Sequence, residues 1–176
     1  MCSTNKKIIF EIIVFELIEW YNRCASPQAN LESFTKLKLQ KLLFLLSAST
    51  ATINDKKLLN IFNNFYAMPY GPVESDIYNA MIENNFEHIS FALGYIEKTK
   101  KFTENNFNDE TKLIQEAISL IQKENPRLIL YTATQLVEIT HKWTSWKYAF
   151  DIAKLRKKGS EKMNINSICN DCKIYK

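Results

Sequence analysis

Residues 63–79 of this chain read NNFYAMPYGPVESDIYN and bring aromatic residues, prolines and a glycine close together. Tyr66, Pro69, Tyr70, Gly71 and Pro72 fall within seven positions. The whole chain has only 3 glycines and 4 prolines, so few other places demand special backbone geometry. Residues that precede proline are pushed toward extended conformations. Pro72 suits the first turn of a helix, where its missing N–H is not needed. The stretch therefore predicts a rigid aromatic loop that leads into a central helix beginning at Pro72.

The length and composition around this loop describe one globular domain. The 176 residues are 46% hydrophobic and 24% charged, a balance typical of a folded core and not of a disordered chain. A chain of this length can bury a continuous core. The net charge of +4 is too small to indicate nucleic acid by itself.

The apolar run from Ile8 to Tyr21 raises the question of a membrane segment. Glu11, Glu16 and Glu19 interrupt it, so no stretch approaches the roughly 20 apolar residues that a span needs. The same carboxylates argue against a signal peptide. We therefore expect a cytoplasmic protein whose cysteines are reduced.

Helical periodicity runs through most of the chain. It predicts helices over 6–25, 36–46, 72–84, 109–124, 133–141 and 146–158. The type of the segment 86–95 stays open, and 98–108 is predicted as a polar connector. The predicted fold class is all-α, a single compact multi-helix domain over 1–160, followed by a polar C-terminal tail over 161–176.

Three local details refine these helices. Thr132 and Gln135 fit a capping box, in which each side chain reaches the other residue's free backbone N–H. Gly159 is predicted to stop the last helix. In the second helix the lysines are expected to face solvent or to extend toward it. These lysines are Lys36, Lys38 and Lys41.

Cys169 and Cys172 form the pair with metal-like spacing. A zinc site usually needs two such pairs, or one pair together with two histidines. Cys2 and Cys24 are single cysteines, and no histidine lies near the pair in sequence. The sequence therefore predicts free thiols, no metal site and no cofactor.

No catalytic constellation is visible in the sequence. The two histidines, His88 and His141, have no strained nucleophile turn beside them. Three widely spaced glycines exclude a phosphate-binding loop. Paired carboxylates such as Asp109 and Glu110 fall at predicted helix starts, where the positive end of the helix dipole stabilises them. We expect that the protein is not an enzyme.

A basic run near the end of the last predicted helix allows two interpretations. Lys154, Arg156, Lys157 and Lys158 are a candidate nucleic-acid contact. Cations are also favoured in the last turn of a helix, and this explains the run without any ligand. The second interpretation is favoured.

Aromatic residues cluster near His141 at the break between two predicted helices. They are Trp143, Trp146 and Tyr148. Such density is more typical of helix packing than of a ligand cage. Trp and Tyr are nevertheless the residues that anchor protein interfaces, so a partner surface stays open.

Three separated motifs occur in a fixed order along the chain. They are LKLQKLLF at 37–44, FYAMPYGPV at 65–73 followed by Tyr78, and LVEITH at 136–141 followed by Trp146. Together they resemble the Panacea (SocA-like) antitoxin domain, whose pattern runs K-L-Q-K-L-L-Y, then A-x-x-Y-G-P-V, then L-T-H with a nearby tryptophan. The resemblance covers residues 8–155. Phe44 stands where the pattern has Tyr, and the residues after His141 lack the pattern's proline.

The resemblance implies an antitoxin that neutralises a cognate toxin protein by direct protein–protein binding. In that family one scaffold is paired with varied toxins, so the resemblance does not name the partner. From the motifs and the aromatic cluster we predict that the partner is bound by Tyr66, Tyr70, Gly71, Pro72, His141, Trp143 and Trp146. The residues predicted to have motif or structural roles are Leu39, Gln40, Lys41, Thr140 and Tyr78.

The motif loop itself is interpreted as structural, with partner binding on the adjoining exposed surface. In this interpretation Tyr70 and Gly71 lock the third helix onto Leu39–Gln40 and onto Thr140–His141. Two other functions stay open: a DNA-binding transcriptional regulator, and an adaptor that delivers a bound protein to a protease. Self-association also stays open.

Overall fold

The computed structural model of the chain describes residues 3–25, 31–91, 93–98 and 108–176. Helices dominate these ranges, and two short 3-10 helices connect them. The α-helices are α1 (Thr4–Cys24), α2 (Lys36–Ser49), α3 (Leu58–Ile61), α4 (Ser75–Ile82), α5 (Asn108–Glu124), α6 (Ala133–His141), α7 (Thr144–Leu155) and α8 (Ile165–Asn170). The 3-10 helices are Leu31–Ser33 and Leu128–Leu130. Cys2 and most of the predicted polar connector lie outside the described residues.

The prediction of a strictly all-α fold needs correction, because the described chain also contains two small antiparallel sheets. The strands are β1 (Phe65–Met68), β2 (Gly71–Glu74), β3 (Ile89–Ser90), β4 (Glu97–Lys98) and β5 (Glu161–Lys162). One sheet has the order β2–β1–β5, and β3 pairs with β4 in the other. The short strand β3 lies in the segment 86–95, whose type the sequence left open.

Helix α2 lies at the centre of the core. Every residue from Lys38 to Ser49 is buried, and the helix contacts α3, α4, α5, α6 and β2. The sequence of α2 is apolar around nearly its whole circumference, which is the pattern of a helix covered on all sides. Helix α1 packs against α4, α5 and the second 3-10 helix. No helix within the described ranges is long and apolar enough to cross a membrane.

The expectation that Lys38 and Lys41 face solvent is wrong. Both side chains are buried, and Lys41 is completely enclosed. Lys38 Nζ lies 5.3 Å from the ring centroid of Tyr21 and 5.1 Å from that of Phe34, so two aromatic faces surround the cation. Burial lowers the pKa of Lys38 to about 8. Helical periodicity alone does not show which long side chains find a partner inside the core.

The prediction of a helix from Pro72 is also wrong, because Pro72 lies in β2. Strands β1 and β2 form a hairpin in which Tyr66 is paired with Val73 and Met68 with Gly71. Pro69 and Tyr70 form the turn, and neither has a positive φ, whereas Gly71 has a φ of +90°. A glycine in this position lets the hairpin close after an ordinary turn. Helix α4 therefore begins three residues later than predicted, at Ser75.

The last residues, predicted as a polar tail, pack against the rest of the chain. Strand β5 pairs with β1, and the side chains of Met163, Ile168 and Tyr175 are buried in the core. The Tyr175 carbonyl accepts a hydrogen bond from Asn125 Nδ2 (2.8 Å), and the Ile174 carbonyl accepts one from Trp143 Nε1 (3.1 Å). These few apolar residues contribute to the core although the segment around them is polar.

Side-chain hydrogen bonds to backbone N–H groups determine where two of the helices begin. The capping box of Thr132 and Gln135 is confirmed. Helix α7 begins where the Asp171 carboxylate accepts the N–H groups of Thr144 (3.2 Å) and Ser145 (2.6 Å). The predicted stop at Gly159 is wrong, because α7 ends at Leu155 and the left-handed residue after it is Lys157, with a φ of 54°.

Candidate functional site

Side chains of α2 close the outer edge of β2. Gln40 Oε1 accepts a hydrogen bond from the Glu74 N–H (2.8 Å), and Gln40 Nε2 donates a longer one to the Glu74 carbonyl (3.5 Å). Lys41 Nζ donates to the Pro72 carbonyl (2.8 Å). Pro72 has no N–H of its own to satisfy. Two motif residues therefore take the place of a neighbouring strand along this buried edge.

Gly71 is the point where the three sequence motifs meet. A Cβ at this position would lie 2.6 Å from Thr140 Oγ1 and 3.1 Å from Lys41 Cε. Thr140 Oγ1 is itself held in place because it donates to the Val137 carbonyl (2.9 Å). The left-handed φ of Gly71 independently disfavours any larger residue. The hairpin is thereby fixed against α2 and α6. This supports the structural interpretation of the loop, although the element that the loop fixes is a hairpin and not the predicted helix.

Lys41 is a buried amine at the centre of this junction. Burial lowers the pKa of Lys41 to about 7, and no carboxylate within the described ranges compensates for it. Both the protonated and the neutral amine are therefore populated near neutral pH. Either form can donate to the Pro72 carbonyl, so the contact to β2 is kept in both.

A buried ion cluster fixes the other end of β2. Glu74 caps α4 by accepting the Ile77 N–H (2.9 Å), and it also accepts the Asn64 N–H (3.1 Å). Lys6 Nζ donates to both Glu74 Oε1 and Asp76 Oδ2. Burial opposes the charge on Lys6, but the hydrogen bonds and charges of Asp76 and Glu74 outweigh it and raise the pKa of Lys6. The cluster ties α1 to the hairpin and to α4.

An aromatic column stands beside the hairpin turn. The His141 ring stacks on Trp146 with centroids 3.9 Å apart and planes 13° apart. Trp146 stacks on Phe150 (5.0 Å, 18°), and its Nε1 donates to the Met68 carbonyl (3.1 Å). Tyr70 is 70% exposed in the turn next to this column. We call the exposed Tyr70 with the half-buried His141 and Phe150 the tip surface, which the buried Trp146 supports from below.

His141 belongs to the column as a neutral ring. Burial and the positive charge of Lys41 lower the pKa of His141, and a hydrogen bond with the Pro69 backbone acts in the opposite direction. A pKa below the ordinary value leaves the imidazole mostly uncharged at pH 7. The ring therefore contributes flat aromatic area and not a cation.

The structure separates the residues that the sequence assigned to partner binding. Tyr70 is well exposed, Tyr66 and His141 are half-buried, and the remaining four are buried: Gly71, Pro72, Trp143 and Trp146. Trp143 lies in the core, where it makes an edge-on contact with Phe44 at 4.9 Å. The position of Trp143 is that of a packing residue.

The residues assigned to motif or structural roles mostly lie at the junction. Leu39 is buried in the core, and Gln40, Lys41 and Thr140 contact the hairpin as described above. Tyr78 is different, because it lies on the outer side of α4 and is partly exposed.

The cysteines do not form a cluster within the described ranges. Cys24 and Cys172 are exposed free thiols and Cys169 is a buried one. No group of three histidine, cysteine or acidic residues in the described part of the chain is arranged to hold a metal ion.

Sequence reasoning missed two buried carboxylates. One is Glu74, which contacts α1 through Lys6, caps α4 and accepts the Asn64 N–H. Glu11 was noted only as an interruption of an apolar run. The Glu11 carboxylate is buried and accepts the backbone N–H groups of His88 (2.6 Å) and Ile89 (3.3 Å). An acidic residue inside an apolar helical stripe was the available signal.

Comparison with known families identifies the class of protein that these motifs define. The model of the family described as antitoxin SocA-like, Panacea domain matches residues 39–147, a range that holds the junction and most of the tip surface. The chain belongs to this family. Comparisons with curated proteins and with solved structures gave no significant match.

Proposed function

We propose that this protein is an antitoxin that neutralises a cognate toxin protein by direct binding, and that the tip surface is the contact. Family membership supports the antitoxin role. We choose this surface because the large aromatic side chain of Tyr70 is 70% exposed there, between a proline and a buried glycine.

The support beneath Tyr70 suits a binding residue. Gly71 is wedged against Thr140 and Lys41, and the Met68 carbonyl receives the Trp146 Nε1–H. A rigid aromatic side chain loses little conformational freedom when a partner covers it. Exposed tyrosines next to packed aromatic neighbours are frequent energetic centres of protein interfaces.

The proposed action is binding and not catalysis. The tip surface holds aromatic side chains, a neutral imidazole and backbone groups, and Lys41 is fully buried beneath it. A binding antitoxin acts in proportion to its amount. Titration of purified toxin should therefore reach full inhibition at a fixed molar ratio. Full inhibition by catalytic amounts of the protein would contradict this part of the proposal.

The test uses the product of the neighbouring gene as the candidate toxin. Expressed alone it should inhibit growth, and co-expression of this protein should restore growth. Tyr70→Ser should weaken the complex about tenfold or more, since truncation of a central interface aromatic costs more than ~1.4 kcal/mol. The matched control is Ile82→Ser, which removes an exposed apolar side chain on α4 (57% exposed).

Isothermal titration calorimetry on folded variants gives the decisive comparison. Equal affinity of Tyr70→Ser and the wild type would remove the tip surface from the proposal and leave the antitoxin role standing. Failure of the wild-type protein to bind or to rescue would remove the antitoxin role itself.

A further inference from the structure

Helix α7 presents an apolar stripe that the core does not cover. Tyr148 is 68% exposed, Leu155 is 83% exposed, and Ile152 between them is half-buried. These positions are four and three residues apart, so they lie on one face of the helix. Trp146 and Ala149 are buried on the inner side of α7, so this stripe is a surface separate from the tip surface.

A groove borders the stripe on the side of β5 and α8. Its cavity of about 160 Å³ is lined by Tyr148, Ile152, Ser145, Glu161 and Ser167, among others. Ser145 Oγ and Glu161 Oε2 are buried and have no hydrogen-bond partner within the described part of the chain. We call the stripe and this cavity the α7 groove.

The stretch 147–162, which carries most residues of the α7 groove, is strongly basic, and its Arg156 and Lys162 line the cavity. Six basic and two acidic side chains lie between positions 147 and 162, an excess equal to the net charge of +4 of the whole chain. Both acidic residues are already engaged: Asp151 with Lys154 (3.1 Å) and Glu161 with Arg156 (3.0 Å). The lysines left without an ion pair to a described residue are all exposed. They are Lys147, Lys157, Lys158 and Lys162.

We propose that the α7 groove binds an acidic amphipathic segment of a partner protein, with apolar side chains against Tyr148, Ile152 and Leu155. Carboxylates of that segment would pair with the exposed lysines of the stretch 147–162. Such a helix-in-groove contact needs an apolar stripe and charges of the opposite sign, and the α7 groove supplies both. This proposal concerns a second surface and does not depend on the proposed toxin contact.

Two other partners fit the observations less well. Nucleic acid would match the lysines, but phosphates gain nothing from an exposed leucine and a half-buried isoleucine at the centre of the surface. An anionic membrane would match the lysines and the apolar side chains. It fits a concave site less well, because a bilayer surface is flat on the scale of this cavity.

The test uses a synthetic peptide with leucines at helical i, i+3, i+4 and i+7 spacing and glutamates at the other positions. The matched probe has the same leucines and a lysine in place of each glutamate. Fluorescence anisotropy of the labelled peptides with the full chain should show saturable binding of the acidic peptide alone. The affinity should fall as salt is raised, because the lysines of the stretch 147–162 are exposed and salt screens their charges.

Variants locate the site. Leu155→Glu and the double variant Lys157→Glu with Lys158→Glu should each lower the affinity for the acidic peptide about tenfold or more. Leu155 makes no core contact, so its variant should remain folded, as circular dichroism would verify. Ile82→Glu introduces the same charge at an exposed apolar position on α4 and should bind like the wild type.

Three outcomes would overturn the proposal. The first is equal binding of the acidic and the basic peptide, and the second is unchanged binding by a folded Leu155→Glu variant. The third is absence of acidic-peptide binding. If duplex DNA or phosphatidylserine vesicles then bound instead, the surface would be assigned to nucleic acid or to membrane.

Discussion

Replacing Gly71 by alanine tests how the hairpin is fixed to the two helices behind it. The new methyl group would lie 2.6 Å from Thr140 Oγ1 and 3.1 Å from Lys41 Cε. Both side chains are held by hydrogen bonds, from Thr140 Oγ1 to the Val137 carbonyl and from Lys41 Nζ to the Pro72 carbonyl. Forcing atoms into a packed site costs about 1–3 kcal/mol. A non-glycine residue at a φ of +90° adds about 1–2 kcal/mol. We expect Gly71→Ala to lower the free energy of unfolding by about 2–5 kcal/mol.

Gly94 supplies the matched control within the same chain. Its φ is +86°, close to that of Gly71, but a Cβ there would meet no atom within 4 Å. Gly94→Ala should therefore show the backbone penalty without the steric one. The difference between the two variants, measured by urea unfolding at constant pH, isolates the contact with Thr140 and Lys41.

A second substitution identifies the clashing atom. Thr140→Ala removes Oγ1, so it should recover part of the stability lost in Gly71→Ala. Residues in contact couple by about 0.5–3 kcal/mol, and a favourable coupling of this size is expected here. Equal losses in Gly71→Ala and Gly94→Ala, or strict additivity with Thr140→Ala, would refute the view that Gly71 is kept for close packing.

Two further predictions concern buried charge. Lys41 has a pKa of about 7 when folded and 10.5 ordinarily, so between these values the unfolded chain binds more protons and stability rises with pH, by up to ~1.4 kcal/mol per unit. Lys41→Met should remove the part of the rise due to Lys41 in urea unfolding series and leave the part above pH 8 due to Lys38, and an unchanged pH slope would contradict the prediction. Glu74→Gln should cost about 3–5 kcal/mol because it leaves Lys6 partly uncompensated in the interior. Asp76→Asn should cost less, since Asp76 is partly exposed; equal losses would argue against the ion cluster.

The local parts of the fold could be predicted from the sequence because their causes lie within a few residues. The capping box at Thr132 depends on a residue three positions away. The helix predicted over 6–25 depends on the helical spacing of its own apolar residues. Where the cause is distant in sequence, prediction failed. Pro72 suits a helix start by its own geometry, but pairing of β1 with β2 and the contact with Lys41 place it in a strand.

The candidate site was predictable in part. The motif interpretation already placed Gly71 against Gln40 and Thr140, but it did not show that Gly71 belongs to a hairpin or that the buried Lys41 lies against it. Trp143 illustrates the opposite error. Its residue type is typical of interfaces, and only the contacts with Phe44 and with the C-terminal segment show that it lies in the core.

The two outer edges of the β2–β1–β5 sheet have a consequence for self-association. Unpaired strand edges are where foreign strands add and where aggregation begins. At β2 the side chains of Gln40 and Lys41 already occupy the backbone groups that another strand would use. At the opposite edge β5 offers only two residues, Glu161 and Lys162, and both carry charge. The residues that mark the family motif thus also protect this sheet against growth by addition of a second chain.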